Sequence, residues 1–202
     1  MGKLRLGVLC SGRGSNFAAI NEAIKTGKLA AEIAVMIADR PNIAALTYAE
    51  ENNIPAVTVD RDEYANRTAF ETRIKHELTA AQAELIVLAG FMRILSPDFV
   101  RAYAGRIMNI HPALLPSFPG AHAHRDVLAY GVKVSGATVH FVDEGTDSGP
   151  IILQAAVPVE ENDTEETLAA RVLVREHIIY PQAIALYAAG KLKIDGRKVR
   201  IL

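Results

Sequence analysis

The sequence predicts an α/β protein: a Rossmann-like open, mostly parallel twisted sheet with flanking helices and an antiparallel C-terminal part. Three observations carry that expectation. Short apolar runs at residues 4–9, 32–38, 56–59 and 85–89 alternate with stretches whose apolar residues recur at helical spacing. Such alternation argues for parallel strands joined by right-handed crossovers. A glycine-rich loop, Ser11-Gly12-Arg13-Gly14-Ser15-Asn16, joins the first apolar run to the first helix. Near the end, residues 135–141 alternate apolar and polar, and a turn at Asp195-Gly196 separates two short strands.

Composition narrows the class of function. With 202 residues, half of them hydrophobic and 22% charged, the chain suits one soluble domain with a sizeable core. A net charge of -1 offers no global field for nucleic acid or an anionic membrane. The single Cys10 excludes an internal disulfide and suits a reducing cytoplasm. The apolar run after Lys3 and Arg5 is too short for a signal peptide, and no segment has the apolar length of a membrane span.

Each element follows from its residues. Residues 4–9 form a buried strand. After the glycine loop, Phe17, Ala18, Ile20, Ala23 and Ile24 lie at helical spacing. Strand, glycine loop and helix present backbone N–H groups and a positive dipole end to an anion. The loop lacks the Gly-Lys-Ser/Thr of a Walker A motif, and Phe17 stands where a dinucleotide fingerprint needs its third glycine. A phosphate monoester fits it better than a pyrophosphate; a tight turn without ligand is the plainer alternative. Residues 32–38 are the second strand, after which Asn42 caps a helix to about Asn52. Asp39 invites a nicotinamide-ribose role but lies far along for it. Residues 56–59 form a third strand and 67–81 a helix with Phe70, Ile74 and Leu78 inward.

The run 85–89 is apolar throughout, as a central strand should be. The loop after it, Gly90 to Leu95 in sequence Gly-Phe-Met-Arg-Ile-Leu, either lines a pocket for a flat ring or packs in the core. Ser96 caps a short helix with Pro97 at its first position. Asn109 and His111 then end the apolar run 107–110, where strand alternation sends both to one face and Pro112 stops the ladder. Ligands of open α/β sheets bind at such carboxyl ends, although a capping Asn and a structural His are the bland reading. The 116–124 loop is rich in Pro and Gly; His122 and His124 lack a third ligand nearby, which argues against a metal. Residues 126–130 complete a short helix.

The strand 135–141 places Ala137, Val139 and Phe141 opposite Thr138 and His140, the latter read as either a substrate contact or a structural histidine. An acidic glycine-rich loop, 143–150, leads to a strand at 151–157. Thr164 opens a helix that misses a strict capping box and should kink or break at Pro181. Glu176 lies just before that point.

Taken together, Ser11-Gly12-x-Gly14-Ser15-Asn16, Leu88-Ala89-Gly90-Phe91-Met92-Arg93-Ile94-Leu95, Asn109-Ile110-His111-Pro112-x-Leu114-Leu115-Pro116 and Asp147-x-Gly149-Pro150 resemble the phosphoribosylglycinamide formyltransferases, in matching order along essentially the whole chain. The resemblance implies transfer of a formyl group from 10-formyltetrahydrofolate, as co-substrate, to the amine of glycinamide ribonucleotide in purine synthesis. It implies Asn109, His111 and Asp147 as catalytic residues. It assigns Gly14, Ser15 and Asn16 to the substrate phosphate, and Glu176 to its ribose. Arg67, Met92, Arg93, Ile94, Leu95 and Asn109 are assigned to the folate. No metal is implied, and a homodimer is left open. A single domain, 1–202, is expected, with 1–100 as its phosphate-binding half and 101–202 as its catalytic and folate-binding half. Related enzymes acting on methionyl-tRNA, or hydrolysing the formyl folate, should carry an extra domain after or before this region. In the implied chemistry Asn109 and a protonated His111 donate to the oxyanion, and Asp147 favours the imidazolium.

Overall fold

The computed structural model describes residues 2–202. In chain order the elements are β1 (Leu4–Cys10), α1 (Ser15–Lys25), β2 (Ala31–Ala38), α2 (Ala44–Glu51), β3 (Ala56–Thr58), α3 (Arg67–Ala80), β4 (Leu85–Leu88), α4 (Pro97–Ala102), β5 (Ile107–His111), α5 (Ala123–Tyr130), β6 (Val134–Phe141), β7 (Ile151–Pro158), α6 (Glu165–Ala188), β8 (Leu192–Asp195) and β9 (Lys198–Ile201). The strands form one sheet in the order β3-β2-β1-β4-β5-β6-β7-β9-β8. The first five run parallel, β6 pairs antiparallel with β5 and β7, and β8 and β9 form an antiparallel hairpin. This is the mostly parallel sheet with an antiparallel C-terminal part that the patterning predicts.

The sheet order reverses between β1 and β4. The chain leaves β1 toward β2 and β3 on one side, and β4 and β5 lie on the other. At such a switch point the loops after neighbouring strands diverge and leave a crevice at the carboxyl edge. The loops after β1, β4 and β5 all open there.

The two faces of the sheet are covered differently. On one face Val8, Met36, Val87, Met108, Val139 and their neighbours pack with residues of α1, α2, α5 and α6. On the other, Leu9, Ile37, Ile86, Leu88 and Ile107 pack with α3 and α4. That second apolar cluster ends at Ile107. Asn109 and His111 continue the same face of β5, by alternation, beyond the reach of those helices. Loops cover them instead, and loops bring polar partners.

Three local expectations are corrected. Asn42 does not cap α2: it adopts φ 57, and Ile43 is the residue preceding the helix, without a side-chain cap. The Ala45 N–H bonds the Gly12 carbonyl at 3.2 Å, so the glycine loop takes up a donor that a cap would otherwise satisfy. Thr164 and Thr167 do form a reciprocal capping box, with hydroxyls serving in both directions. Pro181 does not break α6, which runs unbroken through it. An interior proline costs about 3 kcal/mol. Tyr180, Ala183 and Ile184 are wholly buried beside it, and each large apolar side chain contributes roughly 1.5–3 kcal/mol by burial. Packing therefore outweighs the lost hydrogen bond.

Candidate active site

His111 and Asn109 stand two residues apart on β5, with their β6 neighbours fixed by strand register. Asn109 lies opposite His140, and His111 opposite Thr138. All four side chains belong to one face. His111 is 4% exposed and His140 2%. The polar face of β6 is closed over, because residues 112–120 fold across it. Thr138 holds that covering loop: its hydroxyl donates to the Ala113 carbonyl at 2.7 Å and accepts from the Leu115 N–H at 3.0 Å.

Asp147 arrives from the 143–150 loop. Its Oδ2 lies 3.3 Å from His111 Nδ1 and accepts the Gly120 N–H at 2.8 Å. The residue adopts φ 51, so the backbone turns through the left-handed region to aim this carboxylate inward. Gly149 secures the return. A Cβ there would sit 1.8 Å from the Phe141 carbonyl oxygen, so only glycine lets the two strands approach. On its other nitrogen, His111 Nε2 lies 2.7 Å from the Phe118 carbonyl oxygen. Both ring nitrogens therefore face oxygen acceptors. Asn109 Nδ2 lies 3.3 Å from His140 Nε2 and has no other side-chain partner among the described residues.

The glycine loop sits two strands away along the same edge. Gly14 precedes α1 with φ 72, Ser15 is the first helical residue, and α1 has no acidic residue in its first turn. The helix's free N–H groups and dipole are left to face an anion. Asn16 is buried and donates from Nδ2 to Glu176 Oε2 at 2.7 Å, which ties the loop to α6. Burial raises the Glu176 carboxyl above its ordinary value, and the Asn16 hydrogen bond opposes that only in part. Beneath the edge, the Tyr180 hydroxyl is shared between the Leu88 and Met108 carbonyls at 3.0 and 2.9 Å.

The loop after β4 is clamped at both ends. Ser11 Oγ accepts the Met92 N–H at 2.8 Å, and Arg93 Nε donates to Asp39 Oδ2 at 2.7 Å. At the far end the buried Glu71 accepts from the Ser96 N–H at 2.7 Å and from the Ser96 hydroxyl. Asp39 is 0% exposed, so a ribose-binding role for it is excluded by burial as well as by distance along the chain. The carboxylate is enclosed while the Arg93 side chain stays partly exposed, so the pair anchors the loop from its Asp39 end. Between the clamps Met92 and Ile94 are 69% and 71% exposed, whereas Phe91 and Leu95 are in the core. Leu95 can offer a ligand only backbone. Arg67 is exposed at the start of α3.

Several site features were not marked by sequence: the Phe118 carbonyl, the Gly120 N–H, the support Glu71, and the roles of Ser11 and Asp39 as anchors of the loop after β4. Each acts through backbone or across a long sequence separation. The only usable signal was a charged residue, Glu71, beside Phe70 on the inward stripe of α3. Two shallow surface depressions, along α2 and between α3 and α4, share no residue with the polar cluster. Among the described residues no three His, Cys, Asp or Glu side chains group as metal ligands, and no helix is long and apolar enough to cross a membrane. Cys10 is buried, and burial pushes its thiol up to about 12, which leaves it a poor nucleophile.

Known proteins resemble this chain in sequence and fold. The chain is 43% identical to the phosphoribosylglycinamide formyltransferase of Escherichia coli (strain K12) over 199 residues, covering 95% of this chain and 94% of that protein. It is 46% identical over 197 residues to the trifunctional purine biosynthetic protein adenosine-3 of Bos taurus, covering 96% of this chain but spanning only 20% of that protein's length. The crystal structure of glycinamide ribonucleotide transformylase 1 from Symbiobacterium toebii superposes with a TM-score of 0.97 at 48% identity, covering 99% of this chain and 94% of that one. A family model described as formyl transferase matches residues 4–184, from the first residue of β1 to within α6. By that match, and by the nine-stranded sheet that carries it, the chain belongs to the formyl transferase family.

Proposed function

We propose that the protein transfers the formyl group of 10-formyltetrahydrofolate to the amine of glycinamide ribonucleotide, the formylation step of purine synthesis. The observation that carries this reading is the buried His111–Asp147 pair beside Asn109, at the carboxyl end of β5, with a phosphate-type loop on the same edge. The substrate phosphate sits on the N–H groups of Gly14, Ser15 and Asn16, and Glu176 meets the ribose. The folate ring lies against Met92 and Ile94 and reaches the backbone of Arg93 and Leu95; Arg67, exposed at the start of α3, also contacts the folate.

The amine attacks the formyl carbon directly. One C–N bond forms, the carbonyl oxygen becomes an oxyanion, and the bond to the folate nitrogen then breaks. Asn109 has an amide hydrogen free for that oxygen, and one such donor is worth about 3–4 kcal/mol. His111 serves as the proton donor. With Nε2 on Phe118 and Nδ1 facing Asp147, it reaches the reacting atoms only by releasing the Phe118 carbonyl. Two oxygen acceptors suit a ring with a hydrogen on each nitrogen, and the released hydrogen goes to the departing folate nitrogen, directly or through water. The amine's surplus proton leaves with solvent or through Asp147.

The test is an acceptor panel. 10-Formyltetrahydrofolate is offered with glycinamide ribonucleotide, with methionyl-tRNA and with water alone. Turnover should require glycinamide ribonucleotide. Equal turnover with water alone would sink the transferase reading.

A further inference from the structure

His140 has no part in the chemistry above, yet it is one of the most buried polar residues of the chain. Its surroundings define its hydrogen positions. Nδ1 lies 2.9 Å from the Phe141 carbonyl oxygen, which can only accept, so the ring hydrogen is on Nδ1. That carbonyl is itself held, because Phe141 donates its N–H to Pro150 at 2.9 Å and Gly149 packs against it. Nε2 then carries a lone pair. Two groups face it: Asn109 Nδ2 at 3.3 Å and Asp147 Oδ1 at 3.8 Å. A carboxylate oxygen repels a lone pair, and an amide N–H satisfies it. Burial lowers the His140 ring below its ordinary value, an effect that nearby His111 reinforces and that the Phe141 hydrogen bond, Asp147 and Asp143 oppose. The ring is therefore neutral, and Asp147 is left to His111.

The consequence falls on Asn109. A primary amide can flip, exchanging its donor and acceptor ends at little steric cost. If its oxygen faced the developing oxyanion, the group would repel what it is meant to hold. We propose that His140 is a positioning residue: its Nε2 accepts from Asn109 Nδ2, and so locks the amide with its second N–H available to the reacting carbonyl oxygen. This rests on the reading of Asn109 as the oxyanion donor. The strand register makes the lock rigid, because Asn109 and His140 are directly paired between β5 and β6.

The experiment is a cycle of four variants in the full chain: Asn109→Ala, His140→Leu, the double variant, and His140→Gln, whose amide oxygen can replace Nε2 as acceptor. kcat and both KM values are measured, with thermal unfolding as a control. His140→Leu should lower kcat about tenfold or more with both KM values within about twofold, the pattern of an interaction needed in the transition state. His140→Gln should recover most of that loss. The double variant should be no slower than Asn109→Ala, since the lock has nothing left to hold. A normal kcat for His140→Leu, no rescue by Gln, or additive losses in the double variant would overturn the proposal. A near-normal kcat for Asn109→Ala would instead remove the reading beneath it. If the Leu variant fails to fold, nitrogen-15 NMR of the wild-type ring decides: a hydrogen on Nε2 refutes the lock, and one on Nδ1 alone upholds it.

Discussion

Asp147→Asn isolates the charge that faces His111. The substitution keeps size and shape, and its side-chain oxygen can still accept the Gly120 N–H. What it deletes is a carboxylate 3.3 Å from His111 Nδ1. Two unit charges at that distance interact by roughly 5 kcal/mol at an effective dielectric near 20. Part of this acts equally on the ground state, and the Asp147 side chain is 13% exposed, so screening reduces it further. A net transition-state loss of about 3–4 kcal/mol remains, or on the order of 10²- to 10³-fold in rate. Because the same oxygen, Oδ2, faces His111 Nδ1 and accepts the Gly120 N–H, the Asn oxygen keeps that geometry, and the amide nitrogen takes the place of Oδ1, 3.8 Å from His140 Nε2. Single-turnover kinetics at saturating glycinamide ribonucleotide, followed by the folate absorbance change, read the chemical step directly. Both KM values should stay near normal, because the phosphate loop and the loop after β4 are elsewhere. An Asn variant with near-normal single-turnover rate would show that Asp147 is only a loop residue.

Gly14→Ala places a Cβ 2.8 Å from the Ala45 Cβ at a backbone φ of 72. It should raise KM for glycinamide ribonucleotide about tenfold or more by displacing the loop's N–H groups, with folate KM unchanged; equal damage to both affinities in steady-state kinetics would rule out a dedicated phosphate site. Ile94→Asp changes an exposed apolar side chain and should raise folate KM in a stable protein, whereas Leu95→Asp puts a charge in the core and should lower Tm. Unchanged folate affinity for the Ile94 variant would take this loop off the folate. Glu176 supplies a pH test. Burial raises its folded pKa above the unfolded value, so its stabilising contribution is complete below the unfolded carboxylate range and is lost as pH rises through the raised value. Glu176→Gln has no such loss, so urea melts across that window should show the variant gaining on wild type as pH rises, and a pH-independent difference would mean the carboxyl is not buried as an acid.

Much of the fold was legible because its cause is local. Continuous apolar runs become β1, β2 and β4 since both faces of a parallel sheet are buried, and Ser96-Pro97 starts α4 by side-chain capping. The pairing of Asn109 with His111 on one face follows from alternation alone. What was not legible depends on distant partners. Asn42 looked like a cap because nothing in its neighbourhood shows that the Gly12 carbonyl takes the Ala45 N–H. Pro181 looked like a breaker because the burial that outweighs it comes from the sheet. The alternation of β6 left His140 open between a substrate contact and a structural histidine, and only the register with Asn109 and the burial of the ring decide its surroundings. Asp39 was visible as an acid after a strand. Its partner Arg93 lies 54 residues away. Asp147 reaches His111 only through a left-handed turn that an Asp adopts readily but does not announce.

Direct transfer is tested by following the carbon itself. 10-Formyltetrahydrofolate labelled with carbon-13 in the formyl group is mixed with the protein and glycinamide ribonucleotide, and the label is tracked by NMR. Direct attack by the amine predicts that the formyl resonance passes to the substrate amide at the rate of folate release, with no free formate, and that Asn109→Ala and Asp147→Asn slow this passage without diverting it. Label appearing as formate at the same rate with and without glycinamide ribonucleotide would contradict it.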